Sequence, residues 1–88
     1  MPSNTMNILS EVKTLLSGSL QLGTRADTLT ASSQLLGALP ELDSMAVVAI
    51  LTALENHFNF IIDDDEVSAE IFATLGTLTE FVSNKLNN

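Results

Sequence analysis

With 88 residues, the chain can form one domain with a modest core, but it is too small to enclose both a substrate pocket and its own catalytic apparatus. It has no cysteine, which excludes disulfides, thiolate metal sites and a cysteine nucleophile. Its net charge of −8 arises in residues 41–88, where nine acids stand against one lysine, so nucleic acid and anionic membranes are poor partners.

Hydropathy bears on location and assembly. The apolar share of 45% is enough for a chain that folds unaided. The longest unbroken apolar run, residues 45–51, is far short of the roughly 20 residues that span a membrane. The N-terminus shows no basic region followed by an apolar stretch, so no signal peptide is expected. We therefore expect a cytoplasmic monomer that binds basic faces on other proteins.

The first predicted element is a helix over residues 4–17. Polar residues at its start offer capping oxygens, and Ile8, Val12 and Leu16 recur at helical spacing. A long first loop follows as far as Pro40, rich in Thr, Ser and Gly and without a sustained period. We expect this loop to pack through its leucines, Leu29, Leu35, Leu36 and Leu39.

A second helix is predicted from Asp43 or Ser44 to residue 57 or 58. Pro40 is unsuited to a helix interior, and Asp43 and Ser44 are both good N-cap residues. One face is apolar and is expected to join the core: Val47, Ile50, Leu51, Leu54 and Phe58. The other face carries a milder stripe that is available to a partner: Ser44, Met45, Val48, Thr52 and Glu55.

Four consecutive acids, residues 63–66, are too polar to be buried and are predicted to form a solvated turn. A short helix is expected near residues 65–70. Thr74 is predicted to cap a last helix, with Lys85 near the C-terminal end, where the helix dipole favours a cation. No segment alternates with a period of two. The sequence thus predicts an all-α four-helix bundle, with three main helices and one short helix, and residues 1–88 as a single domain.

Ser44 is the residue of chemical interest. A serine that follows a loop at the start of a helix is exposed, and the backbone N–H groups of the first turn point toward it, which suits the attachment of a phosphate. Taken alone, the Asp43-Ser44 dipeptide is more typical of a simple helix cap. Its surroundings decide between the two interpretations.

These surroundings resemble the acyl and peptidyl carrier family, whose members have an Asp-Ser-Leu-type signature at the start of the second helix. The corresponding residues are Leu42, Asp43, Ser44 and Met45. The resemblance extends over residues 41–82, while the loop before Pro40 matches loosely and helix 1 matches by pattern alone. Matching positions beyond the signature are Val48, Ile50, Leu51, Leu54, Glu55, Phe58, Ile61, Ile62 and residues 74–82.

The resemblance implies that a phosphopantetheinyl transferase attaches the 4′-phosphopantetheine of coenzyme A to Ser44 through a phosphodiester. Asp43 would help to position the divalent metal during that transfer. The product is a non-catalytic acyl carrier protein, whose arm holds acyl groups as thioesters and delivers them between enzymes of a pathway such as fatty acid or polyketide biosynthesis. Because the arm supplies a thiol, the absence of cysteine is explained.

Two alternatives remain open at this stage. One is a peptidyl or aminoacyl carrier, which differs in cargo. The other is a helical adaptor that binds a basic protein and carries no prosthetic group. An enzyme has the least support, because His57 lies about 20 Å along a helix from Ser44 and the scattered acids form no catalytic pair and no resident metal site.

The exposed face of helix 2 departs from the family pattern. Ala46, Val47 and Ala49 occupy positions that are often polar or acidic, and Met45 replaces the usual leucine. The docking face is therefore unusually apolar.

We expect partners to pack on Met45, Val48 and Thr52, with Glu55 and residues 63–66 steering by charge. The expected partners are the transferase and an acyl-loading ligase or acyltransferase with a basic and apolar docking face. Residues 35–45 and 72–81 are similar to carriers that accompany bacterial exosortase and exopolysaccharide gene sets, which implies an AMP-forming acyl ligase as the loading enzyme.

Overall fold

The computed structural model describes residues 4–39 and 42–87, and the side chains of all of these except residues 4–7 and Arg25. The main helices are α1 (Asn4–Leu20), α2 (Ser44–Phe58) and α3 (Leu75–Asn87). Three short 3₁₀ helices lie between them: η1 (Gly23–Thr28), η2 (Asp64–Glu66) and η3 (Ala69–Phe72). The prediction of an all-helical protein with three main helices is confirmed. The prediction that Pro40 ends the first loop lies outside the described residues.

The core forms where α1 packs against both α2 and α3. Each helix contributes apolar residues at spacings of three or four, so that one stripe per helix faces inward. The buried residues are Ile8, Val12, Leu16 and Leu20 from α1, Ile50 and Leu54 from α2, and Leu75, Leu78 and Val82 from α3. On the predicted core face of α2, Val47, Leu51 and Phe58 are half-buried against this cluster.

Helix α1 ends three residues later than predicted, at Leu20 instead of residue 17. The helix does not end at Gly18, because Leu20 and Leu22 beyond it are buried in the core and their burial stabilises the additional residues. The turn comes at Gln21, whose φ of 54° lies in the left-handed region, and the N–H of Leu22 closes it on the carbonyl of Ser17 at 3.1 Å. Part of the predicted long loop is thus helical, since η1 follows at once.

The packing of the first loop is partly as predicted. Leu35 is fully buried, and Leu29 and Leu39 are half-buried. Leu36 differs, because it is 43% exposed. Loop and α3 are joined by backbone hydrogen bonds, in which the carbonyls of Ser33 and Ala31 accept from Leu75 and Gly76 at 3.0 and 2.7 Å.

Gly76 is required by this contact. A Cβ atom at residue 76 would lie 2.8 Å from the carbonyl oxygen of Ala31, closer than folded proteins tolerate. The cap predicted at Thr74 is present, because its Oγ1 accepts from the N–H of Thr77 at 3.1 Å. The start of α3 is therefore held both by its own cap and by the first loop.

The single short helix predicted at residues 65–70 is replaced by two 3₁₀ turns, η2 and η3. Val67 and Ser68 between them are extended, with ψ of 129° and 163°, so one helix cannot run through them. The predicted solvated turn is also only partly right. Asp63, Asp64 and Asp65 are exposed, but Glu66 is half-buried and pairs with Lys85 of α3.

Among residues 4–39 and 42–87, no helix is long and apolar enough to cross a membrane.

Candidate functional site

The start of α2 is fixed by Asp43. This residue is extended, with φ of −113° and ψ of −174°, and its Oδ1 accepts from the N–H of Ala46 at 2.9 Å. Its carbonyl accepts the first helical hydrogen bond, from Val47, also at 2.9 Å. Asp43 is thus an N-cap of the ordinary kind, and the helix begins at the next residue.

Ser44 is the first residue of α2 and is exposed, as the sequence predicts. Two residues earlier, Leu42 is buried and ties the incoming chain to the core. The backbone at Ser44 is therefore fixed in place, because the burial of Leu42 and the Asp43 cap both hold the chain that leads into the helix. At the N-terminus of an α-helix, backbone N–H groups and the helix dipole favour a phosphate.

An exposed, mostly apolar stripe runs along α2 from this end. Met45 is 82% and Val48 is 62% exposed, and Thr52 further along is exposed too. Glu55 is also on this side of the helix, but it is half-buried, and its Oε2 accepts from the N–H of Ile62 at 2.8 Å. Of the residues predicted to dock partners, three are thus open to solvent and the fourth is engaged within the chain.

The segment after α2 adds an exposed apolar residue that the sequence analysis did not include among the docking residues. Asn59 ends the helix in the left-handed conformation, with φ of 64°, and Ile61 follows with 75% of its surface exposed. The sequence contains Ile61 and Ile62 side by side and gives no local signal of which one faces outward. In the structure Ile62 is half-buried, and its N–H is bound to Glu55.

The acidic residues 63–66 follow this segment, and they differ in whether they form an ion pair. Lys85 Nζ donates to both carboxylate oxygens of Glu66 at 2.9 Å, and the N–H of Asp63 donates to Glu66 Oε2 at 2.9 Å. The backbone N–H of Asp63, followed by the Lys85 ammonium, holds the pKa of Glu66 below its ordinary value. Asp64 and Asp65 are exposed and carry the negative charge of the surface here.

Among the titratable side chains that the structure describes, His57 contacts α1 and not Ser44. His57 Nε2 lies 2.7 Å from Glu11 Oε1, an exposed contact that joins α2 to α1. His57 lies in the last turn of α2, at the end opposite to Ser44. Within the described part of the chain, no three His, Asp or Glu side chains cluster closely enough to hold a metal ion.

Comparison with known proteins identifies this arrangement. Residues 10–82 match the protein family described as "phosphopantetheine attachment site". A solution NMR structure of a holo acyl carrier protein from Nitrosomonas europaea is 57% identical, covers 91% of this chain and 96% of its own, and superimposes with a TM-score of 0.86. No curated protein gives a significant match. The chain therefore belongs to the family of phosphopantetheine-binding carrier proteins, which are not themselves enzymes.

Proposed function

We propose that Ser44 carries the 4′-phosphopantetheine arm and that the protein presents acyl groups on that arm to partner enzymes. The observation that carries the proposal is the exposed hydroxyl at the first residue of α2, inside the region that matches the family. Of the serines that the structure describes, Ser44 alone begins an α-helix. Ser68, by contrast, stands at the N-cap position of the four-residue η3 and makes no side-chain capping bond there.

The residues around Ser44 fit a covalently attached phosphate. Asp43 turns its carboxylate back onto Ala46, so it holds the turn without covering the neighbouring hydroxyl. Met45 is the adjacent side chain in α2, and it is flexible and exposed. A phosphodiester at Ser44 would therefore stand in solvent at the positive end of the helix dipole, and the arm it carries would supply the thiol for thioester formation.

The attachment reaction needs a partner enzyme. The transferase takes the proton of the Ser44 hydroxyl, the serine oxygen bonds to the phosphorus of the pantetheine phosphate, and the pyrophosphate bond of coenzyme A breaks. The adenosine bisphosphate half leaves. Asp43, exposed next to Ser44, would contribute a carboxylate oxygen to the divalent metal of the transferase.

The docking face in this proposal comprises Met45, Val48, Thr52 and Glu55. The first two expose apolar surface, and Thr52 is uncharged, so the transferase and the acyl-loading enzyme would pack on this face mainly by apolar contact. Charge steering would come from the exposed acids of residues 63–65, because Glu55 is half-buried and its carboxylate accepts from the N–H of Ile62.

The cargo is proposed to be an acyl group rather than an aminoacyl or peptidyl group, because the solved structure that is 57% identical is an acyl carrier protein. The likeness of residues 35–45 and 72–81 to exosortase-associated carriers supports an AMP-forming acyl ligase as the loading enzyme. We place the protein in the cytoplasm, where coenzyme A and such enzymes are found.

The attachment is tested by intact mass after incubation with coenzyme A and a broad-specificity phosphopantetheinyl transferase. The parent protein is expected to gain the mass of one arm, Ser44→Ala none, and the matched control Ser68→Ala one. A parent that gains nothing would support the unmodified helical adaptor. An arm on Ser44→Ala would show that another residue is the attachment site.

The docking face is tested by Val48→Asp, which places a charge on the apolar stripe. We expect its transfer rate at subsaturating protein to fall about tenfold, because the enzyme must bury an unpaired carboxylate. Ser10→Asp adds the same charge on an exposed position of α1 and is expected to behave as the parent. Equal rates for Val48→Asp and the parent would exclude this stripe.

A further inference from the structure

The exposure of Ile61 is fixed by its two neighbours. Phe60 is half-buried, with its ring stacked on that of Phe58 at 5.9 Å between centroids and with Lys85 Nζ 6.0 Å from its centre. Ile62 is half-buried, and its N–H is bound to Glu55. Residues 60–62 belong to no helix, and with both neighbours packed inward Ile61 faces solvent.

We propose that Ile61 is a second apolar anchor for the phosphopantetheinyl transferase, and that Glu55 is a positioning residue that holds Ile61 in place. This inference rests on the proposed function, since it adds to the surface from which that enzyme reaches Ser44. A single exposed apolar residue is ordinary on a protein surface, so the exposure of Ile61 alone decides nothing. Ile61 is second only to Met45 in exposure among the described large apolar residues, and it is held outward beside a row of exposed aspartates.

The position of Ile61 suits an enzyme working at Ser44. Helix α2 has 15 residues and so is about 22 Å long, with Ser44 at one end and Ile61 just beyond the other. A standard interface of about 800 Å² on each partner is roughly 30 Å across. One enzyme can therefore cover both ends, with Met45 and Val48 beneath its active site and Ile61 at its edge.

The charges nearby define the complementary surface. Asp63, Asp64 and Asp65 follow Ile61 closely and are exposed, whereas Glu66 is paired with Lys85. The partner is accordingly expected to have an apolar recess for Ile61, bordered by Lys or Arg side chains that face these aspartates. This arrangement makes the encounter sensitive to salt, while the apolar anchor is not.

Glu55 has a testable role that differs from a docking charge. As a positioning residue it needs only an acceptor for the N–H of Ile62, and a neutral glutamine provides one. As a docking residue it needs its charge, which glutamine lacks. Glu55→Gln and Glu55→Ala therefore separate the two roles.

The experiment measures kcat and KM of arm transfer with the same broad-specificity transferase and saturating coenzyme A. Ile61→Ser is expected to raise KM about tenfold with kcat unchanged. The matched control Leu86→Ser removes a 41% exposed leucine from α3 and is expected to match the parent. Asp64→Asn combined with Asp65→Asn is expected to raise KM about threefold at low salt and not at high salt.

Glu55→Ala is expected to raise KM about fivefold, and Glu55→Gln is expected to behave as the parent. Far-UV circular dichroism of each variant verifies the fold. A KM for Ile61→Ser equal to that of the parent would overturn the inference and leave the role of Ser44 intact. Equal losses in both Glu55 variants would overturn the positioning role. A parent that accepts no arm would overturn the proposed function together with the inference.

Discussion

Helices α2 and α3 both have a hydroxyl residue at their start, Ser44 as the first residue of α2 and Thr74 just before α3, yet only the start of α2 is uncovered. At α2, Asp43 caps the helix from within the same turn and Ser44 faces solvent. At α3, Thr74 caps the helix, but the carbonyls of Ala31 and Ser33 also accept from Gly76 and Leu75. A covered helix start can hold a fold together, whereas an uncovered one can receive a phosphate.

The Thr74 hydroxyl, unlike that of Ser44, is already hydrogen-bonded within its own helix start. Thr74 is half-buried, and its hydroxyl both accepts from Thr77 N–H and lies 3.4 Å from Thr77 Oγ1. The first loop shields the same turn. Local sequence makes the two starts alike, and packing of a distant loop makes them different.

The largest effect is expected from Gly76→Ala at the covered start. Helix propensity alone predicts a gain of roughly 1 kcal/mol, because glycine is unfavourable in a helix. The added Cβ would instead lie 2.8 Å from Ala31 O, so loop and helix must separate, and we expect a loss of about 2 kcal/mol in the free energy of unfolding. Equilibrium unfolding in urea measures this change in the free energy of unfolding.

Gly18→Ala is the matched control. Gly18 lies within α1, where nothing stands within 4 Å of an added Cβ, so this variant is expected to gain about 0.5–1 kcal/mol. Opposite signs for the two substitutions would establish the loop contact. A gain in both would mean that the first loop does not press on α3 in solution.

The second effect concerns the open start. Asp43→Ala removes the acceptor for Ala46 N–H and is expected to lower the free energy of unfolding by about 1 kcal/mol. Asp43→Asn keeps a capping oxygen and is expected to be close to the parent in stability. If Asp43 also helps to hold the metal of the transferase, Asp43→Asn loads the arm more slowly despite its intact fold.

Measuring the free energy of unfolding and the rate of arm transfer for both Asp43 variants thus distinguishes the capping role of Asp43 from a role as metal ligand. Normal loading of Asp43→Asn would leave the residue with the cap role alone. Unchanged stability of Asp43→Ala would mean that the start of α2 is held by the burial of Leu42 instead.

These two helix starts also show what the sequence could predict. The start of α2 follows from residues 43–46 alone, and Asp43 and Ser44 were identified from them together with the family resemblance. The contact of Gly76 with Ala31 joins residues far apart in the chain, so no local pattern contains it. Likewise, the bond from the N–H of Ile62 to Glu55 joins residues seven apart in the chain, and Leu20 and Leu22 at the end of α1 are buried in the core that the helices share. A helix cap can be predicted from a few neighbouring residues, whereas packing depends on residues that are distant in the chain.

The smallest effect is expected at the other end of α3, where Lys85 binds Glu66. Helix α3 is thus held at its start by hydrogen bonds to the first loop and near its end by the Lys85–Glu66 ion pair, whereas the first turn of α2 makes no such backbone hydrogen bond to the described residues of the first loop. Lys85→Met keeps the aliphatic stem but removes the charge, so it should lower stability modestly at neutral pH, because the pair is partly exposed and screened by salt.

The pH dependence identifies the cause of that loss. The N–H of Asp63 and the Lys85 ammonium lower the pKa of Glu66 in the folded protein, so the unfolded chain binds the proton more tightly. The resulting stability is complete above the unfolded pKa and disappears as pH falls through the folded one. In Lys85→Met only the Asp63 contribution remains, so the variant loses less on acidification, and its melting temperature should approach that of the parent between about pH 6 and pH 3. A difference that stays constant over this range would assign the effect of Lys85 to its contact with Phe60, and α3 would then be fastened by apolar packing instead of by charge.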